Sequence, residues 1–388
     1  MAEGATKRFG VRDLARLANV SVGTVDRALK GRKGINKTTR ERILEFAAAN
    51  GYAPNPTAQA LSFSRSAFRI GVCIPREIHY FYDHLNAGIT DEAKRWQHVG
   101  LEVVYRRVKQ LGSPLSRAVN ELLGHDIQAL VLTPGSAEEV APIIKHAEEN
   151  KNVRVVCVAT DDSPSCRSTG ISVDPNINGA LAAELMANLV PPGSEVAIVT
   201  GMLATEEHRN KVEAFQMNFP IDCRGGKTAK VIEGHEEEEE VYRKTLQLLR
   251  QYPDLRGIYI STVNCIPVCK AVEKWKRRSN IRIIATDVFP DQEPYFRRGT
   301  LSASIYQDPY RQGQLAVRLI MDSFLNGRPL PPKYYINPVI AMRTNLGLFR
   351  EMRGIPELQQ RDTANGFDSS PRMVQRFDAW ADDNSPHH

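Results

Sequence analysis

From Phe68 onward, short β-rich runs alternate with amphipathic helical stretches, and no other feature restricts the fold of this chain as much. FRIGVCI, LEVVYRRV, IQALVLTP and VRVVCVAT form a first series, and SEVAIVTG, AKVIEG, RGIYIST and IRIIATD form a second. Strands that alternate with helices in this way belong to parallel sheets. We therefore predict an α/β protein with two lobes of about 100 residues each, both built on a doubly wound parallel sheet.

The elements after the second series are expected to return to both lobes. LSASIY, a helix from Pro309 to Leu325 and short strands near Tyr334–Arg343 complete the lobes in this prediction. Several crossings of the chain imply a hinge, with a cleft between the lobes. The five glutamates Glu236–Glu240 are interpreted as the solvated start of a helix, where the helix dipole favours negative charge.

The excess positive charge is confined to the N-terminal end of the chain. Residues 1–66 hold 12 Lys and Arg against 5 Asp and Glu, whereas the remainder holds 39 against 40. A basic segment on a neutral body is typical of a protein that binds a polyanion.

Length and composition exclude several classes of protein. The 388 residues, 42% of them hydrophobic, predict two or three domains with sizeable cores. No apolar run approaches the roughly 18 residues of a membrane span, and MAEGATKRFG does not resemble a signal peptide. We expect a cytoplasmic protein with no membrane partner. The six scattered cysteines show no zinc-like spacing, so neither a metal nor a cofactor is predicted.

Motifs of catalysis are missing from the sequence. No GxGxxG follows the first strand, and no GxSxG is present. Gly226-Lys227-Thr228 has Ile221 where a phosphate-binding loop requires glycine. An α/β enzyme remains a third interpretation, without a catalytic set of residues to support it.

The stretch VRDLARLANVSVGTVDRALKG, from Val11 to Gly31, predicts two short helices joined by a tight turn. Its apolar residues fall on inward faces, and its second helix begins after Ser21. Such a stretch is either an ordinary helical hairpin or a helix-turn-helix that places its second helix in the DNA major groove. The local charge favours DNA. A third helix follows Asn36, and Thr57–Ser62 is suited to one or two helical turns that need a partner.

This region resembles the headpiece and hinge of the lactose-repressor (LacI) family over about 50 residues. The family pattern V-x-D-V-A-x-x-A-x-V-S-x-x-T-V-S-R-x-L-N, then T-R-x-R-V and G-Y-x-P-N-x-x-A-x-x-L, is matched closely, with Asp26 in place of the usual serine. The rest resembles the family's effector domain, which is similar to periplasmic sugar-binding proteins of the ribose-binding branch. The resemblance implies a headpiece (residues 1–53), a hinge helix and linker (54–67) and a two-lobed effector domain (68–348). The polar tail (349–388), with scattered Pro, Gly, Asp and Ser, is predicted from its composition to be mostly disordered.

The resemblance also implies which residues contact DNA. They are Ser21, Val22, Gly23, Thr24, Arg27, Asn36, Asn55 and Leu61. Arg27 is suited to a bidentate bond with guanine and Val22 to a thymine methyl group, while Gly23 contributes only close approach. Leu61 matches the hinge leucine that wedges into the minor groove. Its alternative role is that of a plain apolar residue of the hinge helix.

For the effector, the resemblance implies a second set of residues. They are His79, Phe81, Tyr82, Asp161, Arg167, Arg209, Asn264, Asp287 and Gln307. A sugar cleft needs planar donors and acceptors for hydroxyl groups and aromatic faces for C–H surfaces. Several of these residues follow predicted strands, where open α/β sheets bind ligands.

The function predicted from the sequence is that of a ligand-responsive transcriptional regulator, most simply a repressor. It is expected to bind a pseudo-palindromic operator in double-stranded DNA as a homodimer, under the control of a sugar or polyol. The alternative from another class is a sugar-binding receptor whose headpiece has no DNA function.

Overall fold

The structure is a computed structural model that describes residues 9–29, 34–50, 52, 67–111, 113–162, 164–275 and 281–351. The chain divides into two units, Met1–Leu346 and Gly347–His388, and everything below concerns the first. The predicted hinge helix, with Asn55 and Leu61, lies outside the described residues, as does the predicted tail beyond residue 351.

Three helices form the headpiece: α1 (Val11–Leu17), α2 (Val22–Leu29) and α3 (Lys37–Ala49). Leu14, Val25 and Ile43, one from each helix, are completely buried together. Arg42 Nη2 donates to the Ala18 carbonyl oxygen at 3.0 Å and so ties α3 to the end of α1. The helical hairpin of the sequence is therefore closed by the third helix into one small core.

The rest of the first unit alternates strands and helices. The strands are β1 (Phe68–Pro75), β2 (Leu101–Val108), β3 (Ala129–Leu132), β4 (Arg154–Val158), β5 (Thr169–Val173), β6 (Glu195–Thr200), β7 (Lys227–Glu233), β8 (Gly257–Ile260), β9 (Arg282–Thr286), β10 (Ala303–Tyr306), β11 (Lys333–Ile336) and β12 (Val339–Ala341). The helices are α4 (His79–Arg95), α5 (Ser116–Leu123), α6 (Ala137–Lys145), α7 (Pro175–Leu189), α8 (Glu206–Asp222), α9 (Glu238–Gln251), α10 (Cys265–Lys274), α11 (Glu293–Arg298) and α12 (Pro309–Asn326). Helix α13 (Leu346–Glu351) is the exception, since all of it after Leu346 belongs to the second unit.

Two six-stranded sheets define an N lobe and a C lobe. The N-lobe sheet has the order β11-β5-β4-β3-β1-β2 and is parallel throughout. The C-lobe sheet has the order β12-β10-β9-β8-β6-β7 and is parallel except for the antiparallel edge strand β12. The predicted fold of two doubly wound parallel sheets is confirmed.

Both faces of each sheet are buried, as parallel sheets require. Within β3, Val131 faces one apolar layer while Leu130 and Leu132 face the other. Within β8, Ile258 and Tyr259 divide in the same way. Helices on both sides of each sheet supply the covering side chains.

In the described part of the chain, the backbone passes between the lobes at three places. The crossings lie between β5 and α7, between β10 and α12, and between β11 and β12. After the second crossing, α12 packs against α4 so closely that a Cβ at Gly313 would lie 2.1 Å from the Leu85 carbonyl oxygen. Glycine is therefore required there. The predicted return of late elements to both lobes is confirmed, and Gln307 and Asp308 form the second crossing.

One interpretation of the sequence is wrong in part. Helix α9 begins at Glu238, and Glu238 and Glu239 are exposed as expected. Glu236 instead precedes the helix and turns inward, where it accepts hydrogen bonds from Thr262 Oγ1 and Asn264 Nδ2. A long charged run looks solvated in sequence, but the short connection from β7 holds this one carboxylate between elements of the C lobe.

Within the described ranges, no helix combines the length and the apolar character that a transmembrane span needs.

Candidate ligand-binding cleft

A cleft of about 390 Å³, including the part open to solvent, lies between the two lobes. The N lobe lines the cleft with Ile78, Phe81, Tyr82, Leu111, Ala159 and Thr160, and the C lobe with Glu207, His208, Lys211, Glu236, Ser261, Thr262, Val263, Thr286 and Asp287, while Gln307 comes from the crossing.

Asp287 and Gln307 form a paired unit at the carboxyl ends of β9 and β10. Asp287 Oδ1 accepts the Gln307 backbone N–H at 3.0 Å, and Asp287 Oδ2 accepts from Gln307 Nε2 at 2.8 Å. Asp287 has a φ of +63°, in the left-handed region, which turns the chain sharply as it leaves β9. Both residues were expected at the site from sequence, and the structure places them together in the cleft.

Lys211 joins this pair to helix α8. Its ammonium group is buried, lies 2.6 Å from Glu207 Oε1 and donates to Gln307 Oε1 at 2.7 Å. Sequence reasoning missed Lys211 and Glu207. Their spacing of four residues, which brings side chains together on one helix face, was the available signal.

The carboxylates of the cleft hold their protons unusually well. Burial raises the pKa of Glu236 to about 7 and the pKa of Asp287 to about 6. Burial also raises the pKa of Glu207, although the neighbouring Lys211 opposes that shift. Desolvation disfavours the charged form of each group.

His208 is a buried, neutral member of the lining. Its Nδ1 accepts the Met202 backbone N–H at 3.0 Å, which places the ring proton on Nε2. Burial and then the charge of Lys211 lower the pKa of His208 to about 3. The imidazole is therefore an uncharged donor toward its surroundings at neutral pH.

Two aromatic rings form the apolar side of the cleft. Phe81 and Tyr82 lie in the first turn of α4, after Ile78 at φ +64°, and their ring centroids are 5.2 Å apart in an edge-to-face arrangement. The expected aromatic pair is therefore fixed on a helix. Burial, and then the charge of Glu236, raise the pKa of Tyr82.

Other predicted residues do not line the cleft. His79 is 75% exposed, with Nδ1 3.2 Å from Asp83 Oδ2. Arg209 is exposed on α8 and donates to the Leu203 carbonyl oxygen, because the cleft-facing side of α8 carries Glu207 and Lys211 instead. Asn264 lies behind Glu236 and donates to it at 3.0 Å.

Asp161 and Arg167 are paired with each other outside the cleft lining. Arg167 donates to both carboxylate oxygens of Asp161, with Nη2 2.5 Å from Oδ2. Lys333 Nζ lies 3.5 Å from the same oxygen. Buried charges need such partners, and this mutual pairing satisfies them.

On the headpiece, the expected DNA-contacting side chains of α2 lie on its outer surface. Val22, Gly23 and Arg27 are exposed. Ser21 Oγ accepts the Thr24 backbone N–H at 3.1 Å and begins the helix. The expected phosphate-binding residue Asn36 is exposed and caps α3, since its Oδ1 accepts the Thr38 backbone N–H at 3.0 Å.

A three-helix DNA-binding unit joined to a two-lobed α/β domain with a central cleft defines a transcriptional regulator that carries a ligand-binding domain. Residues 70–328 match the periplasmic binding protein domain, and residues 11–55 match the bacterial regulatory proteins of the lacI family. The chain belongs to the LacI family of regulators, with a periplasmic-binding-protein-like effector domain.

Characterised relatives are regulators of the same kind. Catabolite control protein A of Priestia megaterium is 25% identical over 256 residues, which are 65% of this chain and 73% of that protein. The HTH-type transcriptional regulator pepR1 of Lactobacillus delbrueckii subsp. lactis is 24% identical over 208 residues, 53% of this chain and 59% of that protein.

Solved structures share the two-lobed fold. An ABC transporter solute-binding protein from Burkholderia graminis C4D1M in complex with D-arabinose is 19% identical, with a TM-score of 0.65 over 72% of this chain and 96% of that chain. GanP, a glucose-galactose binding protein from Geobacillus stearothermophilus, is 24% identical, with the same TM-score over 72% and 99%. At these identities the likeness establishes the fold.

Proposed function

We propose that this protein is a transcriptional repressor that binds a pseudo-palindromic operator as a homodimer in the cytoplasm and responds to a sugar or polyol. One observation carries the proposal: the paired Asp287 and Gln307 lie in an interlobe cleft of a chain that also has a LacI-type headpiece. Residues 1–53 act as the headpiece, 54–67 as hinge and linker, 68–348 as effector domain and 349–388 as tail. The proposal assigns no catalytic residue, metal or cofactor.

The cleft has the chemistry that hydroxyl groups require. Asp287 and Glu236 supply acceptors, Gln307 supplies both polarities, and Phe81 and Tyr82 cover an apolar ring face. Two structural neighbours bind D-arabinose or glucose and galactose, which supports a small carbohydrate for this cleft as well.

Coupling to DNA follows from the position of Gln307. This residue lies in a crossing between the lobes, and its carbonyl oxygen accepts from Gln312 Nε2 of α12 at 2.9 Å. A ligand held by Asp287 and Gln307 therefore contacts this crossing between the lobes and favours one lobe orientation over another. That orientation sets whether two headpieces fit the operator together.

The headpiece supports sequence-specific contact. Arg27 and Val22 are exposed on the helix that enters the major groove in this family, and the positive charge of the chain is concentrated around them.

Fluorescence anisotropy on DNA from upstream of the protein's own gene tests the proposal, at fixed salt, with a panel of monosaccharides and polyols. We expect saturable dimer binding, and we expect one member of the panel to change operator affinity at least fivefold, either by releasing the operator or by promoting binding. Sugar binding without any DNA affinity supports the receptor alternative, and turnover of a bound sugar supports an enzyme.

A further inference from the structure

Charge is divided unequally across the cleft. Of the described lining residues, those of the N lobe are all uncharged, and Phe81 and Tyr82 are its largest. The C lobe carries three carboxylates, those of Glu207, Glu236 and Asp287. An apolar lobe thus closes over an acidic one.

The positive charge available in the lining does not balance these carboxylates. Lys211 is the one lysine or arginine among the described lining residues, and it is already held by Glu207 and Gln307. His208 is neutral because its Nδ1 accepts a backbone N–H. The two arginines expected at the site lie elsewhere, Arg167 on Asp161 and Arg209 at the surface.

The three carboxylates line the same cleft as the Tyr82 side chain, and they do not form a metal site. The charges of Glu236, Glu207 and Asp287 each help to raise the pKa of Tyr82, after burial as the largest cause. Among the described residues, no group of three His, Cys, Asp or Glu side chains could hold a metal ion. An organic cation that also offers hydroxyl groups fits this arrangement.

We propose that the effector is a protonated amine-bearing sugar or polyol, whose ammonium group lies against the Tyr82 ring and is balanced by the Glu236 and Asp287 carboxylates. The inference rests on the proposed function of this cleft and specifies its ligand class. Two contributions support the binding: attraction between the ammonium group and the carboxylates in a site with little water, and attraction between the cation and the aromatic face.

The same arrangement couples the cation to closure. When the apolar N lobe covers ionised carboxylates without a counter-ion, their desolvation opposes closure. A bound ammonium group supplies the missing charge and allows Glu236 and Asp287 to release protons. The neighbouring charged groups are Lys211 and Glu207 on α8 and His235 before α9.

Matched pairs of compounds test the inference by isothermal titration calorimetry on the full-length protein. D-Glucamine is compared with sorbitol, and the 2-amino forms of glucose, galactose and mannose are compared with the parent sugars and their N-acetyl derivatives. We expect at least one amine to bind tenfold or more tightly than its neutral counterpart. We also expect binding to release protons, so that the observed binding enthalpy changes linearly with the ionisation enthalpy of the buffer.

Substitutions test which carboxylates cause the preference for the amine. Glu236→Gln and Asp287→Asn are each expected to reduce the preference for the amine at least fivefold, whereas the exposed Glu239→Gln keeps it. A neutral compound that binds as tightly as its amine overturns the inference and leaves the proposed function intact. Absence of binding by every amine up to about 10 mM also overturns it. Failure of the proposed function is recognised separately, by lack of operator binding in the anisotropy assay.

Discussion

The ring of Tyr80 on α4 stacks on the ring of Phe289 after β9, with centroids 4.3 Å apart and planes 13° from parallel. Tyr80 belongs to the N lobe and Phe289 to the C lobe, and the Tyr80 hydroxyl also donates to Asp291 of the C lobe. Their neighbours Phe81 and Asp287 line the cleft. The stack therefore joins the lobes directly beside the ligand site.

Removal of this stack is expected to weaken ligand binding. Tyr80→Ala loses an aromatic pair worth about 0.5–1.5 kcal/mol, which corresponds to an affinity about two- to tenfold lower for the most tightly bound compound of the panel. Calorimetry measures the loss. Tyr80→Phe keeps the ring and removes only the hydroxyl, so an equal loss in both variants would assign the effect to the bond with Asp291 instead.

Asp287→Ala is expected to abolish the thermal shift produced by the most tightly bound compound of the panel. It also leaves the Gln307 backbone N–H and amide without their carboxylate acceptor, at a cost of about 1–3 kcal/mol in the free energy of unfolding. Ligand-dependent melting and urea unfolding measure the two effects. Glu239→Gln, at the exposed start of α9, serves as the control, and an unaltered thermal shift in Asp287→Ala would remove this residue from the site.

The pH dependence of stability should reveal the buried carboxylates. The pKa of Glu236 is raised from 4.5 to about 7 and that of Asp287 from 3.8 to about 6. At pH values between the ordinary and the raised pKa, the folded state therefore binds more protons than the unfolded chain. Their destabilising contribution is absent below about pH 4, grows as the pH rises, and is complete above about pH 8, one unit beyond the higher of the two pKa values.

Glu236→Gln removes one part of that contribution. Its Tm relative to the wild type is expected to rise steadily from pH 4.5 to pH 8, as followed by circular dichroism. Under the same conditions the Glu239→Gln difference stays flat. A relative Tm that falls with pH would show that Glu236 is stabilised as a carboxylate.

Lys211→Met tests the buried ion pair on α8. Because Glu207 then keeps an uncompensated buried charge, we expect a loss of about 3–5 kcal/mol in the free energy of unfolding at pH 7. Glu207→Gln in the same chain should recover part of it. The exposed pair of Lys94 with Asp91 gives the comparison, since Lys94→Met is expected to cost less than about 1 kcal/mol.

Arg27→Ala tests base reading by the headpiece. Operator affinity should fall by about 1–3 kcal/mol, and discrimination between operator and scrambled DNA should decrease with it. Arg16→Ala on α1, where the side chain is also exposed, controls for general electrostatics. An equal effect of both substitutions on scrambled and operator DNA would assign Arg27 to phosphate contact.

Much of the fold followed from local patterns. Alternation of strand and helix runs predicted both sheets, since a strand such as FRIGVCI carries its own burial pattern. Asp287 and Gln307 were identified on their positions after strands, combined with a family resemblance. Their actual bonds to each other were not predicted, because a strand end specifies the edge of the sheet and not the partner.

Residues whose partners are distant in sequence were misplaced or missed. Lys211 bonds to Gln307, 96 residues away, and Tyr259 bonds to Asn178, 81 residues away. Glu236 was predicted to be solvated because it lies within a run of glutamates. In the structure β7 pairs with β6, and Glu236, which follows β7, accepts a hydrogen bond from Thr262. Arg209 fitted the family pattern, yet the rotation of α8 presents Lys211 to the cleft.

The sequence by itself determined the two parallel sheets and the helices of the headpiece, because periodicity and turn residues act over a few neighbouring positions. Its resemblance to the LacI family indicated the class of protein. Only the tertiary structure decided which side chains share the cleft and with what charge. Burial, desolvation and pairing depend on groups brought together from both lobes. The acidic C-lobe side of the cleft is the consequence, whereas the sequence predicted a sugar or polyol site in which Asp161 and Asp287 are accompanied by two arginines.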